Sequence, residues 1–310
     1  MNERPVVIVT EALTADPLRW LGERAEIVHA APGTADFEAH RGRAQGIVVR
    51  TYTRVDPALL DSMPSLRVVG RAGVGLDNID LEACAERGVR VEHTPDANSA
   101  AVVEFVFALV LDAIRPRGWL DRAIGSEEWN ALRADLVAPK QLAGSTLGVL
   151  GFGRIGSRVA RVGSALGMDV IYYDLREIEP GERGGAVGVR FDELMERSDI
   201  LTLHVDGRDS NRDLLGHDAF GRMKPDVMLV NTSRGFVVDS EACADFMRAR
   251  PGAQALLDVH EPEPLPVDHP LLMMDNVYLT PHIASATQQA KDAMSWVVRD
   301  VWHALQGEPV

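Results

Sequence analysis

The feature that most constrains the fold of this chain is a series of short, strongly apolar runs separated by segments with helical periodicity. The runs are Val6–Val9, Ile47–Val49, Val68–Val69, Val89–Val91, Leu147–Leu150, Val170–Tyr173, Ile200–Leu203, Val227–Val230, Ala255–Leu257 and Val277–Leu279. Strands that are apolar on both faces lie in parallel sheets covered by helices, and their alternation with helices predicts right-handed βαβ units. Because the chain has 310 residues, we expect an α/β fold with two doubly wound parallel-sheet domains.

Two segments with helical patterns, one apolar and one amphipathic, indicate where these domains meet along the chain. Ser99–Ile114 is almost wholly apolar, is too short to span a bilayer, and precedes Pro116. We expect it to leave the first domain and open the second. Ser285–Leu305 is amphipathic, and we expect one long helix that packs back on the first domain. The predicted domains are therefore 1–96 with 285–310, and 97–284.

Composition and charge exclude several classes of partner. The formal net charge of -14 disfavours binding to nucleic acid and to anionic membranes. The two cysteines, Cys84 and Cys243, form no C-x-x-C pair, so we expect no metal site and no redox dithiol. The N-terminus reads as a strand and not as a signal peptide, and no apolar run reaches the length of a membrane span. We therefore expect a cytoplasmic protein.

A glycine-rich turn supplies the most specific local signal. The run Leu147–Leu150 leads into Gly151-x-Gly153-x-x-Gly156, a helical segment follows, and the next run ends at Asp174. This order of strand, glycine turn, helix and acidic residue binds the pyrophosphate and ribose of a dinucleotide. The alternative is a glycine turn that binds nothing. The residues predicted to bind cofactor here are Gly151, Gly153, Arg154, Ile155, Gly156 and Asp174.

The acidic residue at the end of the second strand bears on the choice of cofactor. Asp174 would repel a 2′-phosphate and so favours NAD over NADP. Arg176 follows two residues later and could permit some use of NADP.

Polar segments follow three later apolar runs, where ligands bind in open α/β sheets. They are Asn231–Gly235, Asp258–Pro264 and Thr280–His282. Together they offer an arginine that can hold a carboxylate, a histidine that can exchange a proton, and acidic groups that can orient the histidine. Each residue alone is more often structural or solvated. Their occurrence at successive strand ends predicts reduction of a 2-keto acid.

Over almost its full length the chain resembles the D-isomer-specific 2-hydroxyacid dehydrogenases. The matching stretches are RAGVGLDNID, LGVLGFGRIG, MKPDVMLVNTSRG, LLDVHEPEP and LTPHIASAT. The resemblance implies a flavodoxin-like substrate domain, a Rossmann domain that binds NAD, and a homodimer or larger homo-oligomer. It places the catalytic residues at Arg234, Glu263 (not Glu261) and His282. It adds His204, Thr232 and Asp258 to the predicted cofactor site, and the N–H groups of Val74 and Gly75 to the predicted substrate site.

Within this family the first domain is similar to that of 3-phosphoglycerate dehydrogenases. The resemblance implies that Arg50 and Arg71 bind a distal phosphate or carboxylate; the alternative is that both are ordinary strand-end arginines. Because the chain ends at Val310, we expect no C-terminal regulatory domain. Ala131 stands where those enzymes tend to carry arginine, which weakens this assignment.

The predicted function is therefore NAD-dependent hydride transfer to or from C2 of a D-2-hydroxy or 2-keto acid, with 3-phosphoglycerate among the candidate substrates. Three alternatives stay open at this point. The first is a hydroxypyruvate or glyoxylate reductase, the second is oxidation of a non-carbon acid such as phosphite, and the third is an NAD-sensing protein that acts as a corepressor.

Overall fold

A computed structural model describes residues 4–115 and 117–308 of the chain. Pro116, which the sequence places just beyond a predicted helix, lies outside the described residues, as do the ends of the predicted domain ranges, residues 1–3 and 309–310. The chain divides into two compact units. Unit 1 comprises Met1–Ala101 and Ser285–Val310, and unit 2 comprises Val102–Ala284.

The strands are β1 (Val6–Val9), β2 (Glu26–His29), β3 (Ala44–Val49), β4 (Val68–Arg71), β5 (Arg90–His93), β6 (Thr146–Leu150), β7 (Asp169–Tyr173), β8 (Val187–Gly188), β9 (Ile200–Leu203), β10 (Met228–Asn231), β11 (Gln254–Leu257) and β12 (Val277–Leu279). The helices are α1 (Ala15–Gly22), α2 (Ala35–His40), α3 (Pro57–Asp61), α4 (Leu81–Glu86), α5 (Ser99–Ile114), α6 (Ser126–Asp135), α7 (Arg154–Ala165), α8 (Phe191–Arg197), α9 (His217–Arg222), α10 (Ser240–Ala249), α11 (Gln288–Ser295) and α12 (Val297–Gln306).

Each unit is built on one parallel sheet. Among the described residues, unit 1 has five strands in the order β2-β1-β3-β4-β5, and unit 2 has seven in the order β12-β11-β10-β9-β6-β7-β8. All the strand pairs of both sheets are parallel. In unit 1 the strand order reverses between β1 and β3, and in unit 2 it reverses between β6 and β9. The predicted α/β class with two doubly wound parallel sheets is confirmed.

The strands are apolar because helices cover both faces of each sheet. In unit 1, one face packs against a cluster that includes Phe37 and Leu60, and the other against α12 through Val297 and Val301. A Cβ on Gly70 of β4 would lie only 2.3 Å from a methyl carbon of Val301. The missing side chain at Gly70 therefore allows α12 to lie directly on the sheet.

The C-terminal segment differs from the single helix predicted over Ser285–Leu305, and that prediction is wrong. Thr287 caps α11 by accepting the N–H of Ala290 at 3.1 Å, and the helix ends at Trp296, where α12 begins. Two helices form because the two halves bury their apolar faces against different partners. Those of α11 pack with Ala101 near the start of α5, and those of α12 pack on the sheet of unit 1.

Two edge strands, β2 and β8, are absent from the sequence-based prediction. The residues of β2 are exposed or only partly buried, and both residues of β8 are exposed. Neither strand therefore needs the continuous apolar run by which the buried strands were predicted.

None of the described helices has the length and apolar character needed to cross a membrane.

Candidate active site

The glycine turn of unit 2 lies at the carboxyl end of β6, beside the point where the strand order reverses. Gly151 has φ +90°, and a Cβ there would lie 2.7 Å from the carbonyl oxygen of His204. A Cβ on Gly156 would lie 2.0 Å from the carbonyl oxygen of Gly151. A Cβ on Gly153, which caps α7, would meet none of the described atoms within 4 Å. The turn is therefore tight at its two ends and open in its middle, where the first N–H groups of α7 begin.

Asp174 lies immediately after β7 and faces this turn. Its Oδ2 accepts the N–H of Phe152 at 2.7 Å, and its Oδ1 accepts the N–H of Arg176 at 2.8 Å. The Nε of Arg176 lies 3.3 Å from the same Oδ1. The carboxylate thus holds the glycine turn, and Arg176 offsets part of its negative charge.

Two of the predicted cofactor residues carry buried polar atoms that find no hydrogen-bond partner among the described residues, the Nδ1 of His204 and the Oγ1 of Thr232. His204 follows β9 and Thr232 follows β10, so both lie at the carboxyl edge of the sheet. Burial lowers the pKa of His204 to about 3, so its imidazole is neutral. Unsatisfied buried polar atoms destabilise a fold, and a polar ligand such as a dinucleotide would satisfy them.

His282 and Glu263 form a hydrogen-bonded pair in unit 2. The Nδ1 of His282 lies 2.8 Å from Glu263 Oε2, and Glu263 Oε1 accepts the N–H of His260 at 2.9 Å. The hydrogen bond with Glu263 raises the pKa of His282 above its ordinary value, against the opposing effect of desolvation. Although burial pushes the pKa of Glu263 upward, its hydrogen bonds with His282 and the His260 N–H outweigh that effect and lower it. The pair therefore favours a protonated imidazole beside an ionised carboxylate.

Asp258, fully buried at the end of β11, fixes the backbone around His282. Its Oδ1 accepts the Thr280 hydroxyl at 2.6 Å and the Ile283 N–H at 2.8 Å, and its Oδ2 accepts the Ala284 N–H at 2.8 Å. His282 itself has φ 54°, a left-handed backbone that is uncommon outside glycine. The role of Asp258 in the cofactor site stays a prediction, whereas its hydrogen bonds to Ile283 and Ala284 hold the turn that carries His282.

Arg234 lies in the turn after β10, and Asn231 shapes that turn. Asn231 Nδ2 donates to the carbonyl oxygen of Arg234 at 2.9 Å, and Asn231 Oδ1 accepts the N–H and hydroxyl of Ser233 at 2.9 and 2.8 Å. A Cβ on Gly235 would lie 2.0 Å from the carbonyl carbon of His260. Glycine at 235 therefore lets the Arg234 turn approach the segment that leads to Glu263.

The predicted substrate residues of the other unit also gather at a carboxyl edge. Arg71 is the last residue of β4, and Arg50 follows its neighbour β3. Arg50 donates to the carbonyl oxygen of Ala12 at 3.1 Å, and the Arg71 guanidinium lies against Gly73, where a Cβ would meet its Nη1 at 1.2 Å. Val74 and Gly75 follow in the same turn.

The predicted residues divide into two groups, one at the carboxyl edge of the sheet in each unit. The group in unit 2 comprises Gly151, Gly153, Arg154, Ile155, Gly156, Asp174, His204, Thr232, Arg234, Asp258, Glu263 and His282. The group in unit 1 comprises Arg50, Arg71, Val74 and Gly75. The turn-forming role of Asn231 was not predicted from the sequence, although an asparagine two residues before a serine is a common signal for such a turn. Glu11, which lies beyond the end of β1 and accepts the backbone N–H groups of residues 50 to 53, was not predicted either, because it belongs to no motif.

Known proteins share sequence with this chain over most of its length. The model of a family described as D-isomer specific 2-hydroxyacid dehydrogenase, NAD binding domain, matches residues 107–284. A glyoxylate reductase from Aeropyrum pernix is 36% identical over 96% of this chain and 92% of its own length. The chain belongs to the D-isomer specific 2-hydroxyacid dehydrogenase family. The predictions of this family and of an NAD-binding domain are confirmed.

Other members of this dehydrogenase family are also similar to the chain. A D-3-phosphoglycerate dehydrogenase from Archaeoglobus fulgidus is 35% identical over 98% of this chain. The chain spans only 58% of the length of that relative. The crystal structure of a D-lactate dehydrogenase from Aquifex aeolicus complexed with NAD and lactic acid has a TM-score of 0.83 and 28% identity, and the match covers 98% of this chain and 96% of that one.

Proposed function

We propose that this dehydrogenase uses NAD(H) to interconvert a D-2-hydroxy acid and its 2-keto acid. The observation that carries the proposal is the pair formed by His282 and Glu263, with 2.8 Å between Nδ1 and Oε2. A histidine held by a carboxylate at the carboxyl edge of the dinucleotide-binding sheet is suited to exchange a proton with the C2 oxygen.

We propose that the dinucleotide is held by the glycine turn, Asp174, His204 and Thr232. The open position at Gly153 and the unpartnered buried atoms of His204 and Thr232 among the described residues support this assignment. NADH bound there would supply the hydride to C2.

His282 supplies the proton in the direction of reduction. In a protonated imidazole both ring nitrogens carry hydrogen, and Glu263 occupies the Nδ1 side, which leaves Nε2–H to donate. The C2 carbonyl gains a hydride at carbon and the Nε2 proton at oxygen, and neutral His282 remains. Arg234 can hold the developing oxyanion or the carboxylate because its guanidinium is always charged.

Within unit 1 we propose that the N–H groups of Val74 and Gly75 bind the substrate carboxylate. Both lie in the turn after β4, and residues at the end of β5 bind the carbonyl oxygens of this turn. His93 Nδ1 lies 3.2 Å from the Val74 carbonyl oxygen, and Thr94 donates its N–H to the Gly73 carbonyl oxygen at 3.2 Å. Such a fixed turn can present its amides to an anion. Arg50 and Arg71, at the same edge, could then bind the distal end of the substrate.

The experiment is NADH oxidation by the purified protein with 3-phosphohydroxypyruvate, hydroxypyruvate, glyoxylate, pyruvate and 2-ketoglutarate. We expect turnover with at least one keto acid, and we expect His282→Ala to lower kcat by roughly 100-fold or more because a general acid is lost. NADH affinity of that variant should stay near normal. A variant with unchanged kcat would refute the role of His282, and binding of NADH without turnover of any acid would favour an NAD-sensing role instead.

We also propose a cytoplasmic homodimer. The cysteines Cys84 and Cys243 are both buried and unpaired, as is usual in a reducing compartment. Helix α6 buries none of its residues. Large apolar side chains on and beside it are exposed, with Trp119 85% and Trp129 48% accessible. A surface of this kind is typical of a protein interface.

A further inference from the structure

Glu11 occupies a cradle of backbone amides in unit 1. Its Oε1 accepts the N–H of Arg50 at 3.0 Å and of Thr53 at 3.1 Å, and its Oε2 accepts the N–H of Thr51 at 2.9 Å. The N–H of Tyr52 lies 3.2 Å from each carboxylate oxygen. Four successive amides that converge in this way form an anion site, and here the anion is a side chain of the chain itself.

The carbonyl oxygens of the same loop are held from the other side. Asn78 Nδ2 donates to the carbonyl oxygens of Arg50 at 3.1 Å and Thr53 at 2.6 Å. The Thr53 hydroxyl, which is buried, donates to the Thr10 hydroxyl at 2.7 Å. The loop from residue 50 to residue 53 therefore has its amides and two of its carbonyl groups bound internally, although its tip is exposed.

This loop lies where a ligand is expected in a sheet of this kind. Glu11 follows β1 and the loop follows β3, and these neighbouring strands flank the point at which the strand order of unit 1 reverses. Ligands bind outside the carboxyl ends of the strands at such a point. At the tip of the loop, Tyr52 is 90% exposed. Packing within unit 1 therefore does not explain why an aromatic side chain stands at this position.

We propose that Glu11 is a positioning residue that fixes the 50–53 loop so that Tyr52 and Arg50 contact the end of the substrate distal to C2. The inference rests on the proposed function and extends it to substrate selection. Because Glu11 already binds the loop amides, these amides are not available to an anionic group at the distal end of the substrate. A positively charged side chain must bind that group instead. Arg50 uses one Nη1 donor on Ala12, and a guanidinium has five donors in all.

A carboxylate is needed at residue 11 for this arrangement. Burial pushes the pKa of Glu11 upward, but the hydrogen bonds from residues 50 to 53 outweigh it and hold the pKa below its ordinary value. Glutamine would direct an NH₂ group at amides that also donate, so Glu11→Gln should release the loop. A loop fixed before binding spares the substrate the free-energy cost of ordering it.

The test combines amide hydrogen exchange with steady-state kinetics of Glu11→Gln, Tyr52→Ala and the matched control Glu82→Gln, which changes an exposed glutamate on α4. In Glu11→Gln we expect the hydrogen-exchange rate of the loop amides to rise about 10-fold or more, as the loss of a charged hydrogen bond predicts. We expect KM for the keto acid to rise by about the same factor. We expect kcat and KM for NADH to change little. Tyr52→Ala should raise KM for the keto acid as well, and adding Glu11→Gln to Tyr52→Ala should raise KM by a smaller factor than Glu11→Gln does alone, because only the Arg50 contact is then left to be lost.

Several results would overturn the inference. Unchanged exchange of the loop amides in Glu11→Gln would show that the carboxylate does not fix the loop. Faster exchange with an unchanged KM, or an unchanged KM in Tyr52→Ala, would remove the loop from substrate selection. If the wild-type protein turns over no keto acid, the proposed function fails, and the exchange measurement alone still decides whether Glu11 holds the loop.

Discussion

At the scale of single residues, the backbone of His282 has an uncommon left-handed conformation. A left-handed conformation in a residue other than glycine costs about 1–3 kcal/mol and persists only where surrounding contacts impose it. Here the contacts come from Asp258, which binds the N–H groups of Ile283 and Ala284. The chain thus uses a buried carboxylate to hold one histidine against Glu263, which is consistent with a role in proton transfer.

The pair makes a prediction about pH. In the proposed reaction, reduction requires protonated His282, so the rate should fall as pH rises through the pKa of His282, which the hydrogen bond with Glu263 raises. Glu263→Gln removes the negative charge and lowers that pKa. We therefore expect the alkaline decline of kcat/KM for keto-acid reduction to begin at lower pH in Glu263→Gln than in the wild type, as measured in pH–rate profiles.

Glu261→Gln is the matched control, because Glu261 is an exposed glutamate two residues away in the same loop. Its profile should coincide with that of the wild type. A shift in Glu261→Gln, or a decline at unchanged pH in Glu263→Gln, would contradict the assignment of Glu263.

Sequence reasoning could place these residues only in part. Arg234 and His282 follow apolar runs, so their common edge of the sheet is predictable from strand order. The choice of Glu263 over Glu261 came from family resemblance, since both flank prolines in the same loop. Glu11 could not be predicted, because its partners lie about forty residues away along the chain and belong to a loop whose conformation no local pattern specifies.

At the scale of elements, burial decides what a sequence pattern can predict. The central strands β1 and β9 were predicted with their observed bounds, because all their residues are buried and nearly all are apolar. The edge strand β2 was missed because Glu26 and His29 at its ends are exposed. The break between α11 and α12 at Trp296 preserves the apolar spacing of a single helix, so only the tertiary packing against two different surfaces reveals it.

Two glycines at the start of α7 allow its packing on the turn after β6 to be tested separately from cofactor binding. In Gly156→Ala the new Cβ would lie 2.0 Å from the Gly151 oxygen, so α7 must shift. We expect the free energy of unfolding to fall by about 1–3 kcal/mol, as for other overpacked sites, and NAD affinity to fall with it. Chemical denaturation and NAD titration measure the two effects.

Gly153→Ala provides the contrast, since its Cβ would meet none of the described atoms within 4 Å. We expect near wild-type stability but weaker NAD binding, because the added carbon obstructs the approach of the pyrophosphate. Normal NAD affinity in Gly153→Ala would show that the dinucleotide does not cross the turn at this glycine.

At the scale of the whole molecule, the exposed apolar side chains near α6 predict self-association. Light scattering should give the mass of two chains for the wild type. Replacing Trp119 and Trp129 together by glutamate should shift the mass toward one chain, because burial of charge at an interface is costly. The control is Leu81→Glu, at a leucine 49% exposed on α4; a wild-type mass of one chain, or dissociation by this control as well, would contradict the predicted interface.

The measurement that most directly tests hydride transfer at C2 uses NADH labelled with deuterium at the transferable C4 position. After reaction with the best keto acid of the panel other than glyoxylate, whose product glycolate has no stereocentre, the product is examined by mass spectrometry and chiral chromatography. We predict a D-2-hydroxy acid with deuterium at C2, and almost none with His282→Ala over the same time. An unlabelled product, an L-2-hydroxy acid, or NADH that binds without being consumed would contradict the proposed reaction.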